Sequence, residues 1–325
     1  MVKRKQEGQE SKQRVYTEIQ QFLGSYSEEW RLVYLLTLKV LLENKASLLA
    51  LIQQNSSALF LAPEVQEFIE INVDQYLNAE GYLYTVVHNG LHMEALATAH
   101  MYTEDLGAFL ICSKCAHHGY AQNFPDKFLD YNEQDVYKFY EEEVPSLSKN
   151  QCCLYLCFPT DKQLKRQLRV RGQVDEMKAR IEESCKLFKD TLVEIRDFFL
   201  RTREFFQQYK HGCKVIIEPL GNVTKDNIDK VKENKVGLLF PLRRKKKSLF
   251  KGVKLSDREF AIIDLEEVNI ADLVLIARKI YWLFRIIKSN LVSKYYTDEA
   301  SYQILFLKPE GWETQQTSGM ILTRN

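Results

Sequence analysis

Glycine and proline are scarce in this chain, with 13 and 7 in 325 residues, about half the share of an average globular protein. Turn-rich all-β sandwiches and barrels depend on both residues at their corners, so such folds are excluded and long helices are favoured. Charge of one sign is also lacking: 45 Lys+Arg stand against 44 Asp+Glu, so no global basic or acidic field steers a partner. No apolar run suits a bilayer span, because the most lipophilic stretch, Ala271 to Ile287, carries Asp272, Arg278, Lys279 and Arg285. The opening MVKRKQEGQESKQRV has no apolar core of a signal peptide, so export is not expected and a cytoplasmic location is. Seven cysteines in a chain of this size then read as reduced thiols rather than staples. Glycine-rich nucleotide loops, the H-E-x-x-H zinc motif and the G-x-S-x-G elbow are all missing, which removes the chemistries that need them.

What is present is enough to build a core. Hydrophobic residues make up 45% and charged ones 27% of the chain, inside the globular range and outside the disordered one. The seven prolines leave long windows at 1–62, 64–124, 160–218 and 242–308 in which helices can run unbroken. In the first window an amphipathic segment from Ser11 to Leu23 precedes a longer one from Glu28 to about Gln54, with Ser27 as its cap. After Gly90, Leu96, Ala99, Leu106 and Leu110 repeat at helical spacing, and Asp126 to Glu143 reads as a short helix with an acidic face. Cys152 to Phe158 is apolar without helical period and reads as a strand.

The clearest element follows. Val174, Met177, Ile181, Cys185, Phe188, Leu192, Ile195, Phe199, Phe206 and Tyr209 form one apolar stripe along a helix that stops near Gly212, with Arg203 filling the one gap. Beyond it come short β-favouring runs at Lys214 to Glu218, Val236 to Leu242, Phe260 to Leu265 and Tyr302 to Leu307. A helix from about Glu267 to Ser293 separates the last two, with Ile270, Leu273, Val274, Ala277, Ile280, Phe284, Ile287 and Leu291 on one face. The fold class expected is mainly α, with a small α/β C-terminal portion, organised as residues 1–60, 61–222 and 223–325.

Chemistry concentrates in RTREFFQQYKHG, Arg201 to Gly212, which sets Arg203, Lys210 and His211 at a helix end. Arg203 and Lys210, seven apart, lie within about 20° of one another around the axis, and His211 is offset by about 80°. An imidazole that exchanges protons near neutrality beside fixed cations suits a phosphate ligand, or cleavage of RNA through its own 2′-hydroxyl. The competing reading is that Lys210 and His211 only complement the helix C-terminus, with Gly212 as cap. Arg203 in an apolar stripe calls for a buried counter-charge, and Asp105, three after Tyr102 and four before Phe109, is the expected partner.

The helix carrying MYTEDLGAF (Met101 to Phe109), together with the one ending in FFQQYKHG (Phe205 to Gly212), resembles the HEPN superfamily of nucleotide-binding helical domains. The resemblance implies an antiparallel helical bundle of bacterial type, commonly a homodimer, which in active members is a metal-independent endoribonuclease. On that carry-over His211 is the general base, Arg203 and Lys210 meet the phosphate, and Glu104 or Asp105 orients them. Active members leave four to six residues between the arginine and the histidine; here seven lie between Arg203 and His211. That departure favours a version that binds without cutting.

Cys112-Ser-Lys-Cys115, with His117 nearby, supplies half of a zinc site, but Cys152, Cys153 and Cys157 form no second C-x-x-C. Buried thiols are the reading, and no cofactor or metal is expected. Two basic clusters do stand out: Arg243, Arg244, Lys245, Lys246, Lys247, Lys251 and Lys254, and Lys162, Lys165, Arg166, Arg169 and Arg171. Such clusters attract a phosphate backbone, or simply form solvated loop tips. The expected function is therefore binding of RNA or a nucleotide-like phosphate ligand through Arg203, Lys210, His211 and the 243–254 cluster. RNA cleavage is the enzymatic alternative, and a scaffold for protein partners the third.

Overall fold

A computed structural model describes residues 15–51, 79–116, 124–159, 161–167, 171–210, 216–219, 236–241, 260–264, 269–295, 302–305 and 319–322. They are mainly α-helical. His211, His117 and the cluster from Arg243 to Lys254 lie outside the described residues. The chain divides into two compact units, one of Met1–Trp30, Met101–Arg201 and Arg278–Asn325, the other of Arg31–His100 and Thr202–Ala277. No described helix is long and apolar enough to cross a membrane.

In chain order the helices are α1 (15–25), α2 (Trp30–Glu43), α3 (45–51), α4 (Ala79–Cys115), α5 (Phe124–Leu129), α6 (Glu133–Lys138), α7 (Lys149–Tyr155), α8 (Asp161–Gln167), α9 (Arg171–Lys210) and α10 (Ile270–Tyr295). Helix α4 starts at Ala79, well before the expected start after Gly90, and runs through that glycine. One helical glycine costs about 1 kcal/mol, a penalty that the tertiary packing of a 37-residue helix overrides. The long segment expected from Glu28 instead breaks at Asn44, whose Oδ1 accepts from the Ser47 amide at 3.0 Å and caps a new helix.

Cys152 to Phe158 is not a strand. Ser148 and Gln151 form a reciprocal capping box that starts α7. At the other end, Phe158 N donates to Cys153 O at 2.9 Å and Cys157 N to Leu154 O at 3.1 Å, a Schellman ending with Cys157 at φ 54°. The acidic segment is likewise not one helix. Asn132 caps α6, and a π-helical turn, Phe139–Glu143, follows it directly and buries the consecutive rings of Phe139 and Tyr140. The short strands are β1 (Ile216–Pro219), β2 (Val236–Pro241) and β3 (Phe260–Asp264), antiparallel in that order, and an antiparallel pair β4 (Tyr302–Leu305) and β5 (Gly319–Leu322). Leu238 faces both Ile217 and Ile263 in register.

The first unit's core is aromatic. Phe284 stacks on Tyr102 at 5.7 Å and meets Phe109 at 5.1 Å and Tyr26 at 5.8 Å. Phe109 in turn touches Phe124 and Phe128 edge-on. Their polar tips are satisfied. The Tyr102 hydroxyl donates to the Glu28 carbonyl, and that of Tyr140 to Thr103 O at 2.7 Å. Tyr155 donates to Glu143 Oε2 at 2.8 Å, and Lys114 reaches the same oxygen at 2.6 Å.

Burial first, then neighbouring phenols or carboxylates, pushes the phenols of Tyr102, Tyr140 and Tyr155 well above their ordinary range. Burial also pushes the Cys112 thiol up to about 12 and that of Cys152 to about 11. A group whose folded pKa lies above its unfolded value contributes stability below the unfolded value, and that contribution is lost as pH rises. Above about pH 10 each of the three phenols should therefore remove about 1.4 kcal/mol per pH unit from folding. In an alkaline titration followed by phenolate absorbance, these three should stay silent until the helical signal collapses, while exposed tyrosines ionise first. Ionisation of all 17 tyrosines with helicity intact would refute this.

Candidate functional site

The second unit holds a polar seam between the α4 segment up to His100 and the end of α9 from Thr202 onward. Every residue from Ala95 to His100 is buried. Four of those six are Ala or Thr, and small side chains of that kind allow another helix to approach closely. Thr202, Phe205, Phe206, Gln207 and Gln208 are buried opposite.

Across the seam His100 Nδ1 lies 2.7 Å from Thr202 Oγ1, and its ring stacks on Phe206 at 4.5 Å. One turn further along α9, Tyr209 donates its hydroxyl to Glu94 Oε2 at 2.5 Å. The same carboxylate bears on Tyr34, whose phenol is raised by burial first and by Glu94 second. His88 and His92 meet edge-to-face at 5.7 Å on the preceding turn of α4. Lys210, in the last turn of α9, is exposed with its ammonium 6.0 Å from the Phe206 ring centre. A cation there complements the helix C-terminus.

The residues singled out in the sequence belong to both units. Lys210 is exposed and Arg203 half-buried in the second unit. Glu104 is buried and Asp105 half-buried, and both belong to the first unit, where they raise the Tyr140 phenol. Thr202 and Glu94 were missed, and His100, which with His88 and His92 was expected to be a scattered surface or half-buried imidazole, is instead fully buried. The signal for His100 was the run ALATAH itself: a helix buried all round carries its polar side chains toward partners, not water. His100 is fully enclosed at 0% exposure, which denies it contact with an outside substrate. Near the end of α9, Lys210 and Arg201 are exposed and Arg203 is half-buried.

Compared with known proteins, the chain matches no family model, no curated protein and no solved structure.

Proposed function

We propose that this is an HEPN-like helical bundle with a small α/β C-terminal portion, which binds RNA or a nucleotide-like phosphate ligand without cleaving it. The observation that carries this reading is the end of α9. There Tyr209 is held by Glu94 and Thr202 by His100, and the helix delivers an exposed Lys210 directly before His211. A firmly anchored helix end with a surface cation is suited to a phosphate, whose charge it meets without reorganising. The 243–254 cluster adds seven cations to the same reading. Cleavage is disfavoured by the spacing from Arg203 to His211.

The test is incubation with total RNA in chelator, followed by retention at increasing salt. Wild type is expected to retain RNA uncut with a steep salt slope. Lys210→Glu is expected to weaken retention across sequences and flatten the slope by about 1. RNA degradation that survives chelator and vanishes in His211→Ala would establish the nuclease instead, and absence of both binding and cleavage would leave a protein scaffold.

A further inference from the structure

Away from the seam, the first unit brings two thiols together from separate elements. Cys153 Sγ on α7 and Cys185 Sγ on α9 lie 3.4 Å apart, and all six described cysteines are thiols. A disulfide needs about 2.0 Å, so closing the pair takes little more than an ångström of side-chain movement. The pair is not sealed. Cys153 is half-buried and lines a cavity of about 520 Å³, while Cys185 lines one of about 670 Å³. Lys149 and Glu182 line both cavities and are joined by an ion pair of 2.9 Å. That exposed pair joins the start of α7 to α9 one turn from each sulfur. The hydrogen bond to Cys153 first, and burial second, hold the Cys185 thiol well above its ordinary range, with Lys149 opposing them, which leaves Cys153 to attack first and Cys185 to resolve.

The geometry points to Cys153 and Cys185 as a reversible dithiol site that reduces a low-molecular-weight disulfide by thiol–disulfide exchange. The Cys153 thiolate, reached through its cavity, attacks one sulfur of the small disulfide. The S–S bond breaks, and the departing thiolate carries away the electron pair. Cys185 then attacks the Cys153 sulfur of the mixed disulfide and expels the second small thiolate. The two protons released by the cysteines end on the two small thiols, so one small disulfide is reduced and the protein dithiol is oxidised. Cys152, 1% exposed and with its thiol pushed up to about 11 by burial, is not the attacking residue.

The test uses the reduced full-length chain and oxidised glutathione as probe, with alkylation of remaining thiols and non-reducing peptide mapping. The expected result for wild type is a Cys153–Cys185 cross-link with two reduced glutathiones formed per cross-link. Cys185→Ser is expected to stop at a glutathione adduct on Cys153. A persistent glutathione adduct on wild-type Cys153, a cross-link that uses Cys152, or no thiol consumption would each overturn the proposal. The mapping of wild type decides the matter even if the variant fails to fold.

Discussion

Lys288→Met is expected to destabilise the protein by about 3–5 kcal/mol, the usual cost of removing one partner of a buried ion pair. Lys288 Nζ sits 2.7 Å from Glu28 Oε2, and the two side chains keep only 17% and 8% of their exposure. The same ammonium donates to Tyr26 O at 2.9 Å, so the substitution also takes a donor from a backbone carbonyl. Deleting the cation leaves the carboxylate out of water with nothing to balance it. Adding Glu28→Gln to Lys288→Met should recover much of the loss, since the uncompensated charge is then gone. Urea unfolding of the two single variants and the double variant measures both effects. A single-variant loss below about 1 kcal/mol, the value of a surface pair, would show that water reaches this site.

Phe284→Ala should cost a similar amount, about 3–5 kcal/mol, from lost burial and the cavity left behind. The ring is wholly buried between Tyr102 and Phe109, two turns apart on α4, and Tyr26, just beyond the end of α1, so no single neighbour can collapse into the space. Phe284→Leu, which keeps most of the volume, should cost less. A change within about 0.5 kcal/mol, typical of surface substitutions, would mean that the ring is not part of the core.

Where periodicity was strong, the sequence was easy to read. All of the α9 stripe from Val174 to Phe206 is buried, and so are all eight residues of the α10 face from Ile270 to Leu291. A long amphipathic helix repeats its message every turn, so one polar intruder does not hide it. Short elements repeat nothing. Helix α7 spans seven residues, too few for a period to register, and its limits are set by hydrogen bonds of Ser148, Gln151 and Cys157 that apolar counting does not see. The seam was only half legible for a related reason: His100 and Glu94 acquire their partners from residues more than a hundred positions away. No local pattern encodes that distance. Helix α9 was expected to run to the neighbourhood of Gly212, and its described part reaches Lys210, with Gly212 outside the described residues.

At Gly107 a methyl group added to the backbone would lie 2.8 Å from Tyr140 Cε2 and 2.8 Å from Val136 Cγ1. Both obstacles are rigid, one a branched side chain and the other a ring pinned through its hydroxyl to Thr103. The helix therefore seats Val136 and Tyr140 like a peg in a notch, and sliding or rolling either surface would drive the peg against backbone. The α4 midsection and the stretch from Glu133 to Glu143 should thus travel as a single mechanical piece whenever the protein deforms.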